Sequence, residues 1–152
     1  MPSKPLLTLA GLISLLALVL VPAAPADQVF HTSHAVVHAV AGAPLKSGFV
    51  NDIHSNGPVN SAREEYHLNG AQPNTTYQVQ LVIYADPSCS GSPFVTVPTA
   101  MVTTNVGGNG NADATFPSGP ANDPPVHFGI VWQFIASGAP VYATDCVPVS
   151  ID

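Results

Sequence analysis

The sequence predicts an all-β protein, an antiparallel β-sandwich of about eight short strands. Three observations predict it. Short runs alternate apolar and polar residues at a period of two. Gly, Pro and Asn gather between those runs, where turns belong. No stretch keeps a helical period convincingly, and the density of strand formers argues against disorder.

The chain opens with Lys4, an apolar run from Leu6 to Val21 and the small residues Ala24-Pro25-Ala26. That order is the order of a secretory signal over residues 1–26. The run is shorter than the roughly 20 residues a membrane span needs, so no stable anchor is expected after cleavage. A retained N-terminal anchor is the alternative. Residues 27–152 then form one domain, secreted or periplasmic.

Read as a strand, His34 to Ala41 places Ala35, Val37 and Ala39 on one face and His34, Val36 and His38 on the other. Lys46 to Ile53 is a weak strand before the turn Asn56-Gly57-Pro58. In Ser61 to Asn69, Tyr66 and Leu68 face the core, while Arg63, Glu65 and His67 face water. Thr76 to Ala85 is strong, with Tyr77, Val79, Leu81 and Ile83 alternating inward. Phe94 to Thr104 contains Pro98, which cannot donate to a ladder, so it reads as an edge strand. Gly107 to Asn111 is a hairpin turn. Ala112, Ala114 and Phe116 alternate after it. Val126 to Ala136 has Val126, Phe128, Ile130, Trp132 and Phe134 on one face, which marks that face as core, and Val141 to Ile151 is the last strand. A Greek-key or immunoglobulin-like arrangement fits this count, and a closed barrel is the alternative.

The stretch Leu68-x-Gly70-x-x-Pro73-x-x-x-Tyr77 resembles the tyrosine corner of immunoglobulin-like and fibronectin type III domains. There the ring enters the core and its hydroxyl satisfies an upstream backbone group. About four strands follow it here, whereas in fibronectin domains it comes late. The Pro73-Asn74-Thr75-Thr76-Tyr77 corner, Cys89 a dozen residues later, the hairpin Thr103-Thr104-Asn105-x-Gly107-Gly108-Asn109-Gly110 and a terminal strand with Cys146 together resemble small exported bacterial β-sandwiches of unassigned function. That resemblance implies no catalytic residues and no cofactor.

Charge excludes several partners. After the signal, Lys46 and Arg63 are the only basic residues, against nine acidic ones. So few cations cannot neutralise many phosphates, which argues against nucleic acid and anionic membranes. Cys89 and Cys146 are the only cysteines, and in an oxidising compartment an isolated pair reads as a disulfide.

Histidine is the unusual count, with six. On a helix His31, His34 and His38 would share a metal face. On a strand His34 and His38 stand about 13 Å apart, too far for one ion. Glu64 and Glu65 are neighbours whose side chains diverge on a strand, so they read as a solvated strand start. The exposed stretches 51–60, 90–94 and 117–125 are candidate binding loops. Val82, Tyr84, Val131 and Ile135 could form an apolar outer patch. The expectation is a secreted, non-enzymatic domain serving structure or binding of a protein or surface ligand. A Cu/Zn binder built on the three histidines, or an enzyme without a recognisable motif, are the other readings.

Overall fold

The computed structural model describes residues 29–40, 42–56, 59–120 and 126–151. The signal segment read over 1–26 lies outside them. The described residues form nine strands and no helix: β1 (Val29–Ala39), β2 (Ser47–Asn56), β3 (Val59–Asn69), β4 (Thr76–Tyr84), β5 (Val95–Thr103), β6 (Gly110–Pro120), β7 (Val126–Ala136), β8 (Ala139–Thr144) and β9 (Val147–Ile151).

All pairings are antiparallel, in the order β5-β4-β7-β8-β1-β2-β3-β6, with β9 also on β7. β1 belongs to both halves of this sheet. Val29 to Val36 pair with β2, and Val37 to Ala39 pair with β8. The two outer strands, β5 and β6, are joined by the tight turn in which the Asn105 N–H donates to the Asn109 carbonyl, and they lie against one another. The sheet therefore curls into a nearly closed barrel, as twisted antiparallel strands do when their edges meet. The expected antiparallel all-β fold is present, with its two facing layers as opposite barrel walls.

Alternation sends one residue set inward. Val50, Tyr66, Leu68, Tyr77, Val79, Trp132, Phe134 and Tyr142 make up most of the core. Two details depart from the sequence reading. The last strand is interrupted at Asp145-Cys146 and becomes β8 and β9, because Cys146 turns aside to bond Cys89. Strands β2, β3 and β6 run further than expected, so much of the supposed loops at 51–60 and 117–125 is strand. On the outer wall Val82 is buried beside its cross-strand neighbour Val131, which is half-buried.

One end of the barrel is closed by hydrogen bonds. The corner at 70–75 is packed by the β5–β6 turn: the Ala71 N–H donates to the Gly108 carbonyl at 2.9 Å, and Thr104 Oγ1 donates to the Gln72 carbonyl at 2.6 Å. Gly108 has φ +75°, and a Cβ there would lie 2.1 Å from the Ala71 carbonyl oxygen, so only glycine permits this contact. Tyr77 enters the core as expected, and its hydroxyl lies 3.5 Å from that of Tyr142, with Thr75 and the upstream Gln72 backbone also interacting with it. Tyr142 adds further backbone ties: it accepts from the Gln72 N–H (3.2 Å) and donates to the Pro44 carbonyl (2.8 Å).

Candidate functional site

The opposite end of the barrel is open. The later halves of β2, β4 and β6 and the earlier halves of β3, β5 and β7, with β9, surround a cavity of about 350 Å³. Leu81, Ile83, Val97, Phe116, Phe128 and Ile130 supply apolar walls, and the exposed Phe94 stands at the rim. The polar lining is gathered on β2 and β3: Asp52, His54, Ser61 and Glu64.

The strand period explains why these groups point inward. Asp52 and His54 follow Val50 at steps of two on β2, and Glu64 precedes Tyr66 and Leu68 on β3. Asp52 and Glu64 are direct cross-strand partners, so their carboxyl groups share one face and one neighbourhood. Both are buried.

Burial dominates their ionisation. Removal from water pushes the Glu64 pKa up to about 7, and the nearby Asp52 adds to the rise. The Tyr66 hydroxyl, which donates to the Glu64 carboxyl, and the Trp132 indole N–H act in the opposite sense. Asp52 is also raised by burial, with His54 opposing. Burial and the adjoining Glu64 carboxyl raise the Tyr66 pKa as well.

Tyr66 is held from a second side. Its hydroxyl lies 2.7 Å from Thr99 Oγ1 on β5. That contact depends on Pro98. The β4–β5 register slips between Val79 and Gln80, leaving Thr99 as the extra residue of a bulge on β5. The edge-strand proline anticipated from the sequence thus coincides with a bulge whose hydroxyl supports the floor.

Two nitrogens of the floor lack hydrogen bonds. Trp132 Nε1 is completely buried and unpartnered. His54 Nδ1 is buried too, with Asp52 Oδ2 at 3.5 Å, close enough for charge attraction but without a hydrogen bond. Buried polar atoms left without partners are uncommon and mark sites where a ligand or water completes the set.

The metal site expected on His31, His34 and His38 rested on a helix, and residues 29–39 form a strand. The three histidines do not converge. His31 is the cross-strand partner of His54 and stacks on it, with ring centroids 5.6 Å apart, so it extends the floor towards the rim. His34 lies on the outer face, where Nδ1 is 2.8 Å from Asn51 Oδ1. His38 is also outside, 3.5 Å from the exposed Asp145. Among the described residues no group of three or more His, Cys, Asp or Glu side chains is placed to hold a metal ion.

Cys89 and Cys146 are bonded, with Cα atoms 5.9 Å apart. The bridge ties the β4–β5 loop to the β8–β9 junction. That loop presses on β7 where a Cβ at Gly129 would lie 2.7 Å from Cys89 Sγ. The disulfide braces the wall that ends at Phe94. The sequence reading of Glu65 as solvent-facing holds, since it pairs with Arg63 at 3.2 Å on the outer surface. Its neighbour Glu64, read as solvated, is instead the most altered carboxyl of the site.

A second hollow lies at the closed end, between Phe49 and His67 and the asparagines of the β5–β6 turn. Those asparagines are already used. Asn105 Oδ1 accepts from the Gly107 and Asn109 N–H groups, and Asn109 Oδ1 from that of Gly70. They build the turn.

Comparison with known protein families, with curated proteins and with solved structures gave no match.

Proposed function

We propose that this chain is an exported, non-enzymatic binding protein. Its barrel takes a small, mainly apolar molecule at the open end, with the ligand's polar group on the Asp52–His54–Glu64 floor. The cavity carries this reading: about 350 Å³, apolar on its walls and ionisable at one place. That volume and that division of lining are those of small-molecule sites, and barrels of about eight strands have room for one small ligand. The Cys89–Cys146 bond is consistent with a place outside the cytoplasm, in keeping with the signal-like residues 1–26.

The test uses N-phenyl-1-naphthylamine, a neutral apolar dye that brightens out of water. Its emission should rise with the wild-type protein. It should not rise with Ala62→Trp, which places an indole in the cavity. No enhancement by the wild type, or equal enhancement by a folded Ala62→Trp variant, removes the proposal.

One observation favours a second reading. A carboxyl with a pKa of about 7, next to Tyr66 and facing an apolar cavity, is suited to proton transfer at neutral pH. Against it, the Tyr66 hydroxyl is engaged by Glu64 and Thr99, so it is not free to polarise a substrate oxygen. Isomerisation of 3-cyclohexen-1-one to its conjugated ketone, followed by ultraviolet absorbance, separates the two. A rate above buffer that Glu64→Gln abolishes would make the chain an acid–base enzyme. No rate above buffer is expected.

A further inference from the structure

We propose that the ligand carries a protonated amine, seated between Asp52 and Glu64, on an otherwise apolar or aromatic body. This rests on the binding role proposed above and names the chemistry of its ligand.

Charge around the cavity is one-sided. Two buried carboxyls stand opposite one another on adjacent strands, and no Lys or Arg lines the space. Of the chain's basic residues after the signal, Arg63 is turned outward to Glu65, and Lys46 lies at the closed end, where its backbone N–H donates to the Asn69 carbonyl. An anionic ligand would meet two carboxyls, with the His54 imidazole, already 3.5 Å from Asp52, as the one possible counter-charge in the described lining. A neutral ligand would leave Glu64 desolvated with no cationic partner, which is costly unless it stays protonated. An ammonium supplies the missing charge and up to three donors for the two carboxyls. The walls suit the apolar rest of such a molecule, because Phe116 and Phe128 line the cavity with Leu81, Ile83 and Ile130 and Phe94 stands at its rim. The chain's net charge of −6 favours approach of a cation.

Trp132 adds to this from below the floor. Its indole N–H is fully buried, makes no well-formed hydrogen bond, and is near enough to the Glu64 carboxyl to favour its ionised form. Once Glu64 is ionised beside an ammonium, that donor and the Tyr66 hydroxyl both point at a full negative charge. The binding step is then a proton exchange. The ammonium enters, Glu64 releases its proton to solvent, and the carboxylate is held by Tyr66 and Trp132. No bond to carbon is made or broken.

The titratable groups facing Glu64 are Tyr66 on its own strand and Asp52 and His54 on β2, with His31 on β1 stacked on His54. Thr99 on β5 and Trp132 on β7 contribute dipoles only. The described cavity residues of β4, β6, β7 and β9 are apolar. Glu64, raised to about 7 by burial, and its raised cross-strand neighbour Asp52 are therefore the carboxyls that the ammonium discharges.

Three probes of one length decide the matter: 4-phenylbutylamine, 4-phenylbutanol and 4-phenylbutanoate, each titrated calorimetrically into the full chain and each competed against N-phenyl-1-naphthylamine. The amine should bind at least about tenfold more tightly than the alcohol, as charge-assisted hydrogen bonds allow, and the acid should not bind. Amine affinity should rise about tenfold from pH 6 to pH 8, because below the Glu64 pKa the ammonium competes with a proton. Titrations in phosphate and in Tris should report net proton release. Glu64→Gln and Asp52→Asn should each weaken the amine about ten- to a hundredfold while keeping the wild-type far-ultraviolet circular dichroism and a cooperative urea transition, so loss of fold is told apart from loss of charge. Alcohol binding equal to or tighter than amine binding, or proton uptake with the amine, overturns the amine and leaves the binding role standing. Failure of the dye and of all three probes overturns both.

Discussion

The two ends of the barrel are built from the same alternating strands and differ in how their inward polar groups are satisfied. At the closed end Tyr142 gives and receives, with Gln72 and Pro44 as partners, and Thr104 ties the corner. At the open end Trp132 Nε1 and His54 Nδ1 have no hydrogen bond, and two carboxyls face each other across β2 and β3. A hydrogen-bonded polar set costs little and fixes a shape. An incomplete one costs stability and is retained where something else completes it. The difference assigns architecture to one end and recognition to the other.

The largest expected effect lies in the brace of the open end. The Cys89–Cys146 bond spans 57 positions, and closing a loop of that size in the unfolded chain is worth roughly 4 kcal/mol. Cys146→Ala should lower the free energy of unfolding by that order in urea titrations. A change well under 1 kcal/mol would mean that the open end does not depend on its bridge.

The next effect belongs to Glu64. Its pKa is raised from 4.5 to about 7, so the folded state holds a proton that the unfolded state releases earlier. The stability linked to this group is fully present below about pH 4.5 and is lost as pH rises through 7. The shift corresponds to about 3 kcal/mol at 1.36 kcal/mol per unit. Asp52, also raised, acts with the same sign. Urea unfolding at pH 5 and pH 8 should show the wild type losing stability, and Glu64→Gln losing clearly less. An identical loss in the variant would place the titration elsewhere.

The closed end should respond more mildly and without consequence for binding. Tyr142→Phe strands a backbone donor and a backbone acceptor and should cost about 1–3 kcal/mol. Tyr77→Phe removes a hydroxyl whose contact with Tyr142 is long, at 3.5 Å, and should cost about 1 kcal/mol. Dye affinity should be unchanged in both. If Tyr142→Phe weakened the dye as strongly as Ala62→Trp does, the division between the ends would fail.

Much of the fold was legible because burial follows a period of two. The inward sets of β4 and, apart from the exposed Val126, of β7, the edge position of Pro98, the hairpin at Gly107 to Asn111 and the disulfide were readable along the chain, and for β1 the two faces but not which of them is inward. The floor was less so, although the same period contained it. Glu64 is two residues from Tyr66, and Asp52 and His54 continue the face of Val50. Charged side chains are ordinarily exposed, and that expectation outweighed the pattern. A carboxylate in register with core residues was the available signal. What no local pattern carried is the assembly. β2 and β3 pair as neighbours in the chain, but Trp132 on β7 reaches Glu64 only through the curling of the whole sheet, and the Thr99 bulge exists only against β4. His31 was singled out for a metal face and instead stacks on His54, a contact set by the β1–β2 register.

The most direct measurement is the titration of the Glu64 carboxyl by carbon-13 NMR, in the free protein and with N-phenyl-1-naphthylamine bound. A free pKa near 7 that rises further when the dye fills the cavity is expected, because the dye excludes the remaining water from an already buried acid. A pKa near 4.5 that does not move with the dye would contradict a dry, ligand-taking floor at the open end.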